Sequence, residues 1–167
     1  MKRTLAFLLF FWVSGASIAI AALVAKDPSS ASGDDFWLQM RSVIGRHLGR
    51  PYVWGASGLR SYDCSGFVWR VLFESGVLIK RTTARKLYMS LTEVPEGKRL
   101  SSGNIVFFDN LKHCGIVADP RTFYHSESSI GTNLSKFDPY WRPKACGYRL
   151  APPPAAAAPS RPQPAPQ

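Results

Sequence analysis

The chain has 167 residues, a length that suits one globular domain with short appendages. Its formal net charge is +10 at pH 7, with 21 Lys and Arg residues against 11 Asp and Glu residues. Such a charge attracts anionic polymers, but the basic residues are scattered and no zinc-finger or RNA-binding signature is present, which excludes nucleic acid as a partner.

The first 25 residues predict a signal peptide or an N-terminal membrane anchor. Two basic residues precede an apolar run over residues 5–25, and the small residues at 19–21 form a pattern typical of a signal cleavage site. The run approaches the roughly 20 residues that span a bilayer, so an uncleaved anchor stays open. Both interpretations predict export to the periplasm, the cell envelope or the exterior, and the second also predicts anchoring in the inner membrane.

A linker and a first helix follow the export segment. Residues 26–33 are small and polar, which is typical of a linker, and a single domain is predicted over residues 34–150. Apolar residues at helical spacing over residues 36–48 predict a helix that ends before the next proline. His47 lies on this helix, and we expect it at the protein surface.

The rest of the domain changes from a helical to a strand pattern. A second helix is predicted over about residues 64–75, and from Gly103 onward short runs rich in Val, Ile, Phe and Tyr predict an antiparallel meander. Helices followed by strands indicate an α+β domain. Residues 151–167 consist largely of Pro and Ala, cannot bury a core, and predict a disordered tail.

Cys64 stands at the start of the predicted second helix, in the stretch SYDCSGFVWRVLFESG. A thiol attacks a carbonyl as its thiolate, and both a helix dipole and a neighbouring imidazole favour the loss of its proton. Asp63 is the candidate cap of this helix. Cys64 is therefore a candidate nucleophile, although the same position also suits a small buried apolar residue, since free cysteine is often buried.

His113 and His125 lie on consecutive predicted strands, HCGIVA and TFYHSES. A hairpin in which His113 is directly opposite His125 places both imidazoles on one face of the sheet. One ring then acts as a base and the other orients it. Two unrelated strand histidines are the alternative. One Cys and two His are too few for a typical zinc site, so neither a metal nor a cofactor is predicted.

These motifs together resemble the NlpC-like family of bacterial cell-wall cysteine peptidases. The elements GRPYVWGASG, YDCSGFVWRVL, RTTA, GNIVFFDNLKHCGIV and FYHSES occur in family order, and the resemblance covers roughly residues 36–150. It implies a papain-like α+β fold with N-terminal helices, in which the nucleophile helix packs on a small antiparallel sheet or half-barrel.

The resemblance also implies roles for individual residues. Carried over by position, Cys64 is the nucleophile, His113 is the base and His125 is the third, orienting residue. The residues expected to contact the substrate are Tyr52, Asp63 and Ser65.

The activity that the resemblance implies is hydrolysis of an amide bond in peptidoglycan stem peptides, commonly between γ-D-glutamate and a diamino acid. We expect a monomer that needs no cofactor and whose partner is the stem peptide. Two alternatives stay open: an acyltransferase or amidase acting on another amide or ester, and a catalytically weak module that only binds the cell wall.

Three cysteines in an exported protein leave one thiol free. Cys114 follows His113 at a position where the family normally has an aliphatic residue, and it should point to the opposite face of the sheet from His113. Cys146 lies on the predicted closing strand. A disulfide between Cys114 and Cys146 is therefore a hypothesis, which requires that their Cα atoms lie within about 7 Å of each other.

Overall fold

The computed structural model describes residues 33–155, in which helices come first and strands follow. The helices are α1 (Gly33–His47), α2 (Cys64–Glu74) and α3 (Ala84–Ser90), with short 3-10 helices at Glu96–Lys98 and Arg142–Lys144. The strands are β1 (Ile105–Phe108), β2 (His113–Asp119), β3 (Thr122–Glu127), β4 (Gly131–Lys136) and β5 (Ala145–Arg149). The predicted export segment, most of the linker and the tail beyond residue 155 lie outside the described residues.

The strands form one antiparallel sheet in the order β4-β3-β2-β1-β5. Strands β1 to β4 are neighbours in chain order, as a meander requires, and β5 returns to pair with the free side of β1. Helix α2 packs against β2 and β3. The α+β prediction, with the second helix on a small antiparallel sheet, is confirmed.

Both faces of the sheet are covered, which explains why β1 is a continuous apolar run. Ile105 and Phe107 join the main core that the sheet forms with α1 and α2. Val106 and Phe108 point to the opposite face and pack in a second, smaller core that includes Trp141. Successive side chains of a strand point to opposite faces, and here each face meets apolar neighbours.

The pairing of β2 with β3 differs from the predicted register. His125 pairs with Gly115, so the prediction that His113 stands directly opposite His125 is wrong by two residues. The cause is a tight turn, because Asp119 pairs with Thr122 and accepts a 2.7 Å hydrogen bond from its hydroxyl. A shift of two residues preserves the alternation of side chains, so both imidazoles still share one face.

His47 is not at the surface, and that prediction is wrong. The side chain is buried where α1 packs against α2. Its Nδ1 lies 2.8 Å from the Tyr62 hydroxyl, and its Nε2 lies 3.1 Å from Oε2 of Glu74. The two polar partners explain why a histidine is accommodated in this part of the core.

Residues 151–155 belong to the predicted tail, and they contact the domain. The Leu150 N–H donates a hydrogen bond of 2.9 Å to the Thr92 carbonyl, and the Ala155 N–H donates one of 2.9 Å to the Gly76 carbonyl. Ala151 packs on the main core. Contacts with the domain therefore continue to residue 155, five residues past the predicted boundary at 150.

The hypothesis of a disulfide between Cys114 and Cys146 is contradicted, since all three cysteines are free. Strand β1 lies between β2 and β5, and Phe107 pairs with Cys114 on one side and with Gly147 on the other. Two steps between neighbouring strands amount to about 9.5 Å. That separation exceeds the span of a disulfide, which is about 7 Å between Cα atoms.

Two helical glycines give a test of this packing. A Cβ built on Gly66 in α2 would lie 2.0 Å from the Ala56 carbonyl oxygen, whereas a Cβ on the exposed Gly45 in α1 meets nothing within 4 Å. We expect Gly66→Ala to lower the free energy of unfolding by about 2 kcal/mol or more, because backbone must move to relieve the clash. Gly45→Ala should raise it by about 0.5–1 kcal/mol through helix propensity.

Urea denaturation of both variants measures these changes. Equal effects of the two substitutions would contradict the close approach of the Ala56 carbonyl to α2.

Candidate active site

The start of α2 is fixed by the side chain of Asp63. This residue is the N-cap, with extended backbone angles (φ −85°, ψ 177°), and its Oδ1 accepts a 2.6 Å hydrogen bond from the Gly66 N–H. The Ser65 hydroxyl donates to the same oxygen at 3.0 Å. Asp is among the residues that best satisfy the free N–H groups of a helix start. Cys64 therefore occupies the first turn, where the helix dipole favours negative charge.

Arg81 completes a polar network around this helix start. Its Nη2 donates to both oxygens of Asp63, at 2.8 and 2.7 Å, and its Nη1 donates to Ser65 Oγ at 2.9 Å. The Gly55 N–H donates to Asp63 Oδ2 at 2.9 Å, so the carboxylate also holds the loop between α1 and α2. Arg81 was not among the predicted site residues. The available signal was its position at the start of the RTTA motif, because a nearly buried carboxylate requires a cation.

His113, the first residue of β2, carries the candidate base. Its Nε2 lies 2.8 Å from Nδ1 of His125, and the two rings are nearly perpendicular. His125 is fully buried, and its Nε2 lies 2.9 Å from the hydroxyl of Ser135 on β4. The ring of Trp141 stacks on His113 with the centroids 5.2 Å apart. The two imidazoles and Ser135 thus form one hydrogen-bonded row across β2, β3 and β4.

The direction of the hydrogen bonds in this row follows from Asn133. Its Nδ2 donates to Glu127 Oε1 at 2.9 Å and to the Gly131 carbonyl at 3.0 Å. Its Oδ1 accepts from the Ser135 hydroxyl at 2.9 Å. Because that hydroxyl proton is directed to Asn133, Ser135 Oγ accepts a hydrogen bond from the Nε2–H of His125.

The neutral state of His125 determines which of its nitrogens carries the proton. Burial, and to a smaller extent the charge of His113, lowers the pKa of His125 to about 3, so this ring is neutral at physiological pH. A neutral imidazole with its proton on Nε2 has a free lone pair on Nδ1, which accepts from the Nε2–H of His113. The Nδ1 atom of His113 is left to accept a proton, and His113 hydrogen-bonds Cys64.

The thiol of Cys64 is deprotonated at neutral pH. A hydrogen bond from the Cys114 side chain is the largest cause that lowers the pKa of Cys64 to about 5, while burial opposes the shift. The hydrogen bond and charge of His113 lower the pKa further, as does the backbone N–H of Cys114. Only 7% of Cys64 is exposed. A thiolate is the nucleophilic form of cysteine, so the site holds a nucleophile and a base in contact.

An open cleft of about 930 Å³ lies over the imidazole of His113. Tyr52 lines this cleft from the loop after α1, and Trp141 lines it from the connection between β4 and β5. Burial raises the pKa of Tyr52, and the negative charges of Cys64 and Asp63 raise it further. The Tyr52 hydroxyl therefore lies within electrostatic range of the nucleophile, at the wall of a cleft large enough for a peptide.

The turn that leads from β1 into His113 has a strained backbone. Asp109, Asn110 and Leu111 have φ angles of +50°, +54° and +67°, a conformation that is uncommon for residues other than glycine. The side chain of Arg85 donates to the Asn110 carbonyl at 2.9 Å and holds the turn. Strain of this kind persists where the surrounding structure imposes it and often accompanies function.

The structure brings every predicted site residue to this region. Cys64 lies beside His113, which is hydrogen-bonded to His125. The other predicted residues, Tyr52, Asp63 and Ser65, lie close to Cys64. Within residues 33–155, the His, Cys, Asp and Glu side chains form no group of three or more that could hold a metal ion.

The fold and the site together define a papain-like α+β domain with a Cys/His/His set. Residues 49–150 match the sequence profile of the NlpC/P60 family, so the chain belongs to that family and the resemblance of its motifs is confirmed. Two solved structures agree with the fold. A Staphylococcus aureus protein described as similar to a lipoprotein of the NLP/P60 family has a TM-score of 0.64 and 24% identity, over 72% of this chain and 42% of that chain. The peptidoglycan hydrolase RipB of Mycobacterium tuberculosis has a TM-score of 0.61 and 19% identity, over 74% of this chain and 67% of that chain.

Curated relatives carry the names of endopeptidases. The probable peptidoglycan endopeptidase LytE of Bacillus subtilis is 32% identical over 107 residues, which are 61% of this chain and 30% of LytE. A probable endopeptidase of Haemophilus influenzae is 28% identical over 145 residues, covering 74% of this chain and 89% of that protein. The probable endopeptidase p60 of Listeria seeligeri is 40% identical over 74 residues, which are only 14% of its own length. The chain thus spans a small part of LytE and p60.

The ionisation of Cys64 is open to a direct test. We expect the rate of alkylation of Cys64 by iodoacetamide to rise with pH around a midpoint of about 5 and to level off at neutral pH, because the thiolate is the reacting form. Replacing His113 with Gln removes a hydrogen bond and a positive charge, so the midpoint should move upward by about one unit. Mass spectrometry of the tryptic peptide 61–70 measures the rate, with the exposed Cys146 in peptide 145–149 as an internal reference.

A midpoint near 8.5, the ordinary pKa of a cysteine thiol, would contradict the electrostatics of this site.

Proposed function

We propose that the chain is an exported cysteine endopeptidase that hydrolyses an amide bond in peptidoglycan stem peptides through a thioester on Cys64. The observation that carries the proposal is the directed row of hydrogen bonds. It runs from Asn133 through Ser135 and His125 and leaves Nδ1 of His113 to take up the proton that the Cys64 thiol loses. A module that only binds the cell wall has no need of a reactive thiol or of an oriented base. The names of LytE and RipB support peptidoglycan as the polymer.

In the first half of the proposed reaction, the Cys64 thiolate attacks the carbonyl carbon of the amide and a carbon–sulfur bond forms. The backbone N–H of Cys64, at the start of α2, helps to hold the oxyanion that develops. His113 donates a proton to the departing amine as the carbon–nitrogen bond breaks. The products of this half are a free amine and a thioester on Cys64.

In the second half, a water molecule enters the site vacated by the amine. His113 takes a proton from this water while the oxygen attacks the thioester carbonyl. The carbon–sulfur bond breaks, a carboxylic acid leaves, and Cys64 returns to its thiolate. His125 remains neutral throughout because it is buried, and it orients His113 by accepting a hydrogen bond from its Nε2–H.

The cleft suits a peptide that carries charges of both signs. Its walls include the carboxylates of Asp109 and Glu127 and the ammonium group of Lys112, besides the hydroxyl of Tyr52. Stem peptides present both carboxylates and an amine, so we assign them as the substrate and the bond between γ-D-glutamate and the diamino acid as the point of cleavage. Of the predicted binding residues, Tyr52 is the one that lines the cleft.

Asp63 and Ser65 are buried, and their side-chain oxygens already accept hydrogen bonds from other groups of the protein. We infer that they support substrate binding chiefly by fixing the start of α2 and the guanidinium of Arg81. The Asp63 side chain is 11% exposed and its charge reaches Tyr52, so a substrate ammonium group near Tyr52 would be favoured by that charge.

The proposed site of action is the cell envelope. Export rests on the apolar run over residues 5–25, and the net charge of +10 favours encounter with anionic wall polymers. Among residues 33–155, no helix is long and apolar enough to cross a membrane. We propose that the protein acts as a monomer on stem peptides, without a cofactor.

A digest of purified muropeptides tests the activity. We expect the protein to release fragments whose new amino terminus is the diamino acid, identified by mass spectrometry. Cys64→Ser should lower the rate by at least about a thousandfold, since an alcohol at this position lacks the nucleophilicity of a thiolate. Cys146→Ser is the matched control, because Cys146 is exposed and lies on the far side of β1.

Binding of muropeptides without turnover by the wild-type protein would overturn the proposal, as would equal rates for the wild type and Cys64→Ser. Release of a fragment joined to an added amine, in place of the free acid, would reassign the chain to acyl transfer.

A further inference from the structure

Cys64 has a second sulfur as its neighbour. Cys64, on α2, and Cys114, on β2, belong to the same core between α2 and the sheet, and each thiol shifts the pKa of the other. Cys64 retains 7% of its surface, whereas Cys114 retains none. One thiol therefore keeps a small exposed surface, and the other is sealed from solvent.

This pair arises from the alternation of side chains along β2. His113 faces the second core with Trp141, and the next residue, Cys114, turns to the face covered by α2. The proposed reaction uses His113 and Cys64 but gives Cys114 no chemical step. Among residues 33–155, Cys114 is the one thiol within reach of Cys64, because Cys146 is exposed on β5, beyond β1.

We propose that Cys114 is a resolving cysteine, which converts an oxidised Cys64 into a reversible Cys64–Cys114 disulfide and so allows peroxide to switch the site off without destroying it. This inference rests on the proposed function only in taking Cys64 as the nucleophile. The disulfide itself requires two thiols and an oxidant of the peroxide class.

The chemistry balances in two steps. The Cys64 thiolate attacks one oxygen of hydrogen peroxide, so that a sulfur–oxygen bond forms, the oxygen–oxygen bond breaks and hydroxide leaves. The sulfur of Cys114 then attacks the sulfenic acid on Cys64, so that a disulfide forms, the sulfur–oxygen bond breaks and a second hydroxide leaves. The hydroxide ions take up the Cys114 proton and one solvent proton, and one peroxide is reduced to two waters. An external dithiol reverses the bond by exchange and is itself oxidised.

The two environments determine which sulfur reacts first. Cys64 is the thiolate and the more accessible group, so it is the one that peroxide oxidises. Burial, together with the hydrogen bond and charge of Cys64, raises the pKa of Cys114 well above its usual range. Oxidation of Cys64 removes the negative charge of the thiolate, so Cys114 loses its proton more readily once its neighbour has reacted.

The disulfide would also protect the nucleophile. A sulfenic acid that finds no thiol is oxidised further to a sulfinic acid, which ordinary thiols do not reduce. A buried thiol in the same core captures the sulfenic acid first.

Trypsin gives a direct readout, because the three cysteines fall in separate peptides, 61–70, 113–121 and 145–149. The reduced full-length protein is treated with hydrogen peroxide, its free thiols are alkylated, and it is digested without reduction. We expect peptides 61–70 and 113–121 to be linked. Turnover of muropeptides should fall at least about tenfold, since a disulfide removes the thiolate, and dithiothreitol should restore it.

Two variants sharpen the test. In Cys114→Val, which has a similar volume, the same treatment should produce sulfinic acid at Cys64, with no recovery in dithiothreitol. In Cys146→Ala, the outcome should match the wild type. If Cys114→Val fails to fold, the peptide map of the wild-type protein decides the matter alone.

The inference is overturned if wild-type peptides 61–70 and 113–121 stay unlinked while Cys64 is oxidised to sulfinic acid, or if Cys64 links to Cys146. A failure of the proposed function looks different. In that case the reduced protein does not cleave muropeptides, yet the disulfide between Cys64 and Cys114 still forms.

Discussion

The carboxylate of Asp63 is the constraint on which the rest of the site depends. It caps α2 by accepting a hydrogen bond from the Gly66 N–H and holds the preceding loop by accepting one from the Gly55 N–H. Both of its oxygens also accept hydrogen bonds from Arg81. These contacts place Cys64 in the first turn of a helix whose Gly66 approaches the loop too closely for a side chain. A thiol held elsewhere on α2 would lose the positive end of the helix dipole and contact with His113.

A second constraint gives the site its direction. The polar row from Asn133 to His113 lies against the smaller core, where the rings of Trp141 and Phe123 contact His125. This apolar surrounding keeps His125 neutral, with its proton on Nε2. His113 therefore donates its Nε2–H to His125 and acts as the base through Nδ1. The chemistry of the base therefore depends on the packing of the second core, because access of water to this core would allow His125 to become protonated.

Local pattern predicted the helix that carries Cys64 and the common face of the two histidines. The second prediction held although its register was wrong, because an error of two residues leaves the alternation of a strand unchanged. The predictions that were wrong concerned contacts between segments that are distant in sequence. His47 is buried because α1 packs against α2. Arg81 has a role because the segment after α2 brings it to Asp63. Cys114 and Cys146 cannot form a disulfide because β1 lies between their strands. Periodicity within one segment does not encode which element lies next to it.

The central claim is that the sulfur of Cys64 forms a covalent bond with the acyl part of the substrate. The most direct measurement is rapid acid quenching of the wild-type protein during turnover of a stem peptide, followed by mass spectrometry of its peptides. We predict an acyl group on peptide 61–70, attached at Cys64 and released by hydroxylamine as a thioester should be. Turnover with no adduct on Cys64 in the quenched protein, or with the acyl group on another residue, would contradict the account.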